Sequence, residues 1–318
     1  VLPHLREADS TENLSLFTTD EDHLKYWLPI LYGLSEVIGH PHIDVRTSAL
    51  DRLFNILLKY GNTIDADLWA LIFRKVLLTI FSPVLSTTEN SQGQLDNMAE
   101  WVTTTCLGAL SHMVELFSYY FDHIQFLAEE FLALLTSFIL QENVNLASIG
   151  STCLLQLITS NAEKWSDAQW KVVATTLQYV INQKLCVELL SVGKPKRTNT
   201  DGDLVEEEEE ITEISPTNGL EDFVGMLRES TPSKHRPLDV KVVVGKCNVV
   251  LLLLKTLHDV TSSFYDTLTN EHFDIFLNAL DSCFNLAKTL NNKPNVWKAT
   301  GKSDIMSLIV RQEASSCD

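Results

Sequence analysis

The sequence has no Cys-x-x-Cys pair, no basic stripe, and only 12 Gly and 9 Pro in 318 residues. Each shortage excludes something. A formal net charge of −18 without a basic stripe excludes a nucleic-acid surface, which needs clustered cations to displace counterions from phosphates. Without close Cys pairs, the six Cys at 106, 153, 186, 247, 283 and 317 read as reduced, buried small hydrophobes of a cytosolic protein, or as tail. The longest apolar run, from Val240 to Leu257, is broken by Lys241, Lys246, Asn248 and Lys255, so it reads as a core helix and not a membrane span. No secretory signal pattern opens the chain, and a start without Met is expected of a piece of something longer.

Catalytic constellations are also lacking: no nucleophile, base and orienting group can be proposed together, and no cofactor or metal is expected. His40 and His42 flank Pro41 and read as a turn, not half a metal site, since no Cys or acid pair lies at ligand spacing. Gly301-Lys302-Ser303 lacks the earlier Gly and the preceding strand of a phosphate loop. Cys106, with His112 and His123 downstream, has no third member and reads as a structural thiol.

What is present is helical periodicity, and it repeats. His42–Trp69 lies over Asn143–Trp170 at an offset of 101 residues without a gap, pairing Val45 with Leu146, Ala49 with Gly150, Leu53 with Leu154, Ile56 with Leu157 and Trp69 with Trp170. Each copy reads as an amphipathic helix, a short polar turn and a second helix entered through an acidic or Ser cap with an early Trp. One such unit cannot bury its apolar face alone, so copies must stack. The offset corresponds to two hairpins of about 50 residues each. Trp69, Trp101 and Trp170 are expected as core plugs and not groove lining. At the start of the second helix, Asp44 is expected to accept backbone N–H bonds while Arg46 reaches a neighbouring repeat.

Taken in order, residues 1–19 are irregular and residues 20–190 form helical repeats. A first helix capped at Thr19, with Asp22 as its capping-box partner, runs to Gly39 and kinks at Pro29. A second runs from Ile43 to Tyr60, with Gly61 as a left-handed cap. Asp65 or Asp67 opens a third that ends at Ser82-Pro83. A polar loop at 84–95 leads to helices at about 96–120, 124–140, 144–160 and 166–190. Residues 191–238 break the composition. Ten acidic residues from Asp201 to Asp222 have no Lys or Arg between them, and such a segment is expected to be a disordered insert, because it cannot bury enough apolar area to offset its ordering entropy. Helices resume over 239–312, at about 239–262, 269–290 and 296–312, before a tail at 313–318. The fold class is therefore all-α, a HEAT/armadillo-like solenoid of about five hairpins with one long insert.

Within the insert, Glu206, Glu208 and Glu210 are candidate partner-binding acids. Leu220, Phe223 and Leu227, at i, i+3 and i+7, read either as a short amphipathic docking helix or as a residual apolar patch. Ser215 and Thr231 each precede Pro and are candidate phosphorylation sites.

The runs PHIDVRTSALDRLFNILLKYG followed by Leu68-Trp69, EWVTTTCLGALSHMVELFSYYFDHI, LASIGSTCLLQLI followed by NAEKW, and NVWKATGKSDIMSLIVRQEASS together resemble one region of the large Golgi exchange factors for Arf GTPases. These are of the secretory-seven type, called brefeldin-A-inhibited exchange proteins in animals, and the resemblance is to the fungal kind. The resembling region consists of HEAT or armadillo-like homology-downstream repeats that follow the catalytic exchange domain. That domain is missing here. The resemblance therefore implies a non-catalytic regulatory region without exchange activity of its own. It implies contacts with Arf or Rab GTPases and with upstream regions of the same polypeptide, and a cytoplasmic place at the trans-Golgi membrane, peripheral and through partners. A homodimer stays open. The alternative is a helical-repeat scaffold or tethering protein in membrane traffic without an exchange-factor parent. The acidic insert departs from the family pattern.

Overall fold

The structure, a computed structural model, describes residues 26–85, 101–191, 240–293 and 303–317. Among these residues there is no strand, and successive helices joined by short turns pack on one another. The fold is all-α and built of helical repeats, as the periodicity predicts. Two compact units divide the chain, Val1–Leu127 and Ala128–Asp318.

The first unit starts with α1 (Leu28–Val37), which buries Leu31, Ser35 and Ile38. Its Pro29 is the second residue of α1 and follows directly on π-helical backbone at Tyr26 and Trp27. The expected cap at Thr19 lies outside the described residues. Helix α2 (Ile43–Tyr60) has the expected bounds and turns Ala49, Leu50, Leu53, Phe54 and Leu57 inward. Gly61 corrects the sequence reading: its backbone is right-handed, φ −58° and ψ −25°. Glycine is required there for space, because a Cβ would lie 2.6 Å from the Tyr120 ring and 2.8 Å from the Trp69 ring.

Asp65 caps α3 (Ala66–Ile72) by accepting the Leu68 N–H at 2.7 Å. The chain then stays helical past the expected stop at Ser82-Pro83, through a π-helical stretch (Phe73–Leu77), a 3₁₀ turn (Leu78–Phe81) and a last turn, α4 (Ser82–Leu85). Another π-helical stretch (Val102–Cys106) leads into α5 (Leu107–Tyr119), and α6 (Phe121–Ile124) with a 3₁₀ turn (Gln125–Leu127) closes the unit.

In the second unit, α7 (Ala128–Ile139) packs on α8 (Val144–Asn161), and α9 (Asp167–Lys184) packs on α11 (Asn270–Asn291). The long α10 (Val240–Ser263) lies against α8 and α9, and α12 (Ser303–Ser315) covers α10 and α11. Helix α9 stops earlier than its apolar pattern suggests. Leu185 is extended at ψ 135°, and a short 3₁₀ turn, Val187–Ser191, follows. The single helix expected at 124–140 is likewise broken, by the 3₁₀ turn before Ala128.

The repeat is structural as well as sequential. Helices α2 and α8 are both 18 residues long, with Leu53 and Leu154 both fully buried. Asp65 and Ser166 cap the following helices, and the Trp69 and Trp170 N–H groups bond to the cap carbonyls at 2.9 Å in each copy. In α11 as well, an aromatic residue, Phe273, stands four positions after the N-cap, Thr269.

Candidate interaction surface

Two of the four sequence blocks that carried the family resemblance, those at 41–69 and 100–124, meet inside the first unit. Arg46 is 3% exposed, although it lies on the first turns of α2. Its Nε donates to Thr105 Oγ1 at 3.0 Å, and one terminal nitrogen donates to the carbonyls of His40 at 3.1 Å and Pro41 at 2.6 Å. The Arg of the DVR run thus holds the turn before its own helix against the TTT run that leads into α5. Asp44 is exposed in the first turn of α2, where its charge faces the positive end of the helix; the N-cap is His42, which makes no side-chain cap bond.

Trp69 and Trp170 are 1% and 2% exposed, and Trp101 is also buried. Trp69 leans on Tyr120, centroids 5.5 Å apart, and the Tyr120 hydroxyl donates to the Leu58 carbonyl at 2.7 Å. Trp170 packs against Phe264 at 6.2 Å. Neither indole N–H has a hydrogen-bond partner among the described residues, so both rings serve as apolar plugs.

The other singled-out residues gather no chemistry. His40 and His42 stack at 5.5 Å, and His40 Nδ1 accepts the His42 N–H at 3.1 Å, a local turn bond. His112 lies 3.6 Å from both Asp51 and Glu115 and stacks on Phe54, while Cys106 is buried in the core. Among the described residues no group of three or more His, Cys, Asp or Glu is placed to hold a metal ion. No helix among them is long and apolar enough to cross a membrane. Gly301 and Lys302 lie outside the described residues, as do Glu206, Glu208, Glu210, Leu220, Phe223, Leu227, Ser215 and Thr231.

Among the strongly perturbed titratable groups is a lysine. Burial pushes the Lys184 ammonium from 10.5 down to about 8, nearby Lys246 adds to the fall, and Glu142 opposes it. Its Nζ donates to the Gln141 carbonyl at 2.7 Å. Between the two pKa values the unfolded chain holds a proton that the folded chain has lost, so this residue makes stability rise with pH across that window. Lys184→Met should abolish that rise, read as the difference between wild-type and variant denaturant midpoints at pH 7.5 and pH 10.

The surface of the first unit carries an apolar face that sequence reasoning missed. On and just before α1, Tyr26, Ile30, Tyr32 and Val37 are 40–50% exposed, although the opposite side of the helix is already in the core. Gly33 sits among them with nothing within 4 Å of where its Cβ would be. A groove beside this face is lined by Trp27, Leu28, Leu31, Ile56, Leu57 and Tyr60. A helix apolar on all sides is ordinarily buried. The signal was legible in LPILYGLSEV, which holds one charge in ten residues.

Comparison with known proteins fits this picture. The chain is 29% identical over 247 residues to the ADP-ribosylation factor guanine nucleotide-exchange factor sec71 of Schizosaccharomyces pombe, matching 75% of this chain and 13% of that protein. It is 30% identical over 185 residues to the exchange factor SEC7 of Saccharomyces cerevisiae, covering 58% of this chain and 9% of that protein. The human brefeldin A-inhibited guanine nucleotide-exchange protein 1 is 30% identical over 169 residues, which are 53% of this chain and 9% of the human protein. The chain thus spans a small fraction of the length of the relatives it matches. No family model matches the chain. No solved structure matches it either.

Proposed function

We propose, from the premise that the chain is homologous to one segment of the large Arf guanine nucleotide-exchange factors, that it is a regulatory, non-catalytic part of such a factor. The observation that carries this reading is the combination of homology to a small share of those proteins with a helical-repeat body whose singled-out polar residues do structural work. Arg46 and the paired Trp residues hold repeats together, and the surface left for partners is the apolar face of α1.

The function we assign is control of membrane recruitment and of the exchange domain in vesicle-mediated transport at the Golgi, through contacts with Arf or Rab GTPases and with upstream regions of the same polypeptide. The insert acids Glu206, Glu208 and Glu210 and the apolar triad Leu220, Phe223 and Leu227 are proposed as a second partner-binding element. Net negative charge disfavours adsorption to anionic lipid, so recruitment through a protein partner is favoured.

The test is retention of purified Arf and Rab proteins, loaded with GTP or GDP, on the immobilised 318-residue chain. Preferential retention of a GTP form, lowered at least tenfold by Ile30→Glu with Tyr32→Glu, is the expected result. Equal retention of both nucleotide forms, or none, sinks the GTPase reading and leaves a scaffold. Release of labelled GDP from Arf should not accelerate when the chain alone is added; acceleration would contradict a non-catalytic role.

A further inference from the structure

Residues 192–239, which hold the acid-rich run, lie outside the described residues, and a thiol stands in each of the described segments that flank them. Cys186, between the end of α9 and the 3₁₀ turn, has its Sγ 3.7 Å from the Sγ of Cys247 on α10. Both are buried, at 4% and 0% exposure, and they share a cluster with Leu189, Val243, Ile305 and Ile309. We propose that Cys186 and Cys247 are a reversible dithiol–disulfide couple, oxidised by a low-molecular-weight disulfide such as oxidised glutathione, which covalently joins the two chain segments flanking residues 192–239.

Three features distinguish the pair from inert core thiols. The first is access. Cys186 lies outside regular α-helix, and the segment after it is held by short-range bonds such as Val187 N–H to the Leu185 carbonyl at 2.9 Å and Leu189 N–H to the Cys186 carbonyl at 3.1 Å. Opening this segment bares the thiol without unfolding α9 or α10. The second is charge. Lys246, next to Cys247 in the chain, is paired with Glu188 at 2.7 Å, and Glu188 belongs to the segment that opens. Its departure leaves the ammonium facing the thiols, which favours the thiolate. The third is mutual support. The two sulfurs share a hydrogen bond in which either can donate, and this contact together with burial holds the Cys186 thiol up while the same contact holds Cys247 down. Gln312 Nε2 fixes the Cys247 carbonyl at 3.0 Å. Burial pushes Cys283 up to about 12, which keeps it out of the exchange.

The chemistry balances. One thiolate of the pair attacks a sulfur of the small disulfide, forming a mixed disulfide and expelling one glutathione thiolate. The second protein thiolate attacks the protein-side sulfur and expels the other glutathione. The protein gives up two electrons and two protons; the small disulfide takes both and leaves as two thiols. Reduced glutathione runs the sequence backwards.

The experiment uses the 318-residue chain with Cys317→Ser, which removes the exposed thiol and leaves five. The folded protein is equilibrated with oxidised and reduced glutathione at several ratios, alkylated, and mapped by mass spectrometry without reduction. The expected result is loss of two of the five thiols, a single intramolecular link between the peptides containing Cys186 and Cys247, and full recovery with excess reduced glutathione. In Cys186→Ser, and separately in Cys247→Ala, the remaining thiols should all survive; two variants guard against one that fails to fold. Five intact thiols at every ratio, a link that forms only in denaturant, or glutathione adducts without a 186–247 link would each overturn the proposal.

Discussion

Replacing Trp69 by Ala is expected to remove about 3–5 kcal/mol of stability, measured by denaturant unfolding, the cost of a large core cavity that its surroundings fill only in part. The ring is fully enclosed between Gly61, Tyr120 and the α3 backbone, with Phe73 and Met113 near the same small cavity. Trp69→Phe should cost far less, about 1–2 kcal/mol, because the indole N–H it removes has no hydrogen-bond partner and only volume is lost. Trp170 occupies the equivalent place in the second unit with the same unpartnered N–H, so Trp170→Ala and Trp170→Phe should reproduce both values. A Trp→Phe variant as damaging as Trp→Ala would show that the N–H makes a bond not evident in this geometry. It would then no longer be right to regard the two rings as simple plugs.

Arg46→Ala should cost about 2–4 kcal/mol. A buried guanidinium with charge-assisted bonds to one hydroxyl and two carbonyls would be lost together with the packing of its stem. The cost stays below that of a sealed ion pair because His40 and Pro41 are exposed and water can reach their carbonyls, while Thr105 keeps a 3.4 Å contact with the Thr104 hydroxyl. Arg46→Met tests the division between packing and polarity: it restores the stem but none of the bonds, and should recover roughly half of the loss. Arg46→Lys retains the charge without the fork, and is expected to fall short of wild type as well. If Arg46→Met equals wild type in chemical denaturation, the bonds contribute nothing net and Arg46 does not pin the repeat turn.

These residues also show which parts of the molecule can be read from a string of letters. Helix α2 falls at Ile43–Tyr60, as its spacing predicts, because every third or fourth residue is apolar and the turn that follows is polar. The 101-residue repeat was legible for the same reason, down to the caps at Asp65 and Ser166. The placing of Phe273 four residues after the Thr269 cap was not, since Thr and Phe stand where the repeat has an acid or Ser and a Trp. The end expected at Ser82-Pro83 falls instead at Leu85, after π-helical and 3₁₀ stretches that a spacing rule for regular α-helix does not describe.

The amino-acid sequence by itself determined the class of fold, the period of the repeat, the buried state of the Trp residues and the kinship to exchange factors, because each depends on local spacing and residue type. Tertiary structure decided the rest. That Gly61 is needed for room and not for a left-handed turn follows from where the Tyr120 ring comes to lie, 59 residues later in the chain. That Arg46 reaches Thr105, and that Cys186 meets Cys247 across the insert, are encounters between segments far apart in the chain. The outward apolar face of α1 belongs to the same group, because which side of an all-apolar helix stays uncovered depends on what packs against the other. Periodicity tells a helix how to turn, and only packing tells it what to touch.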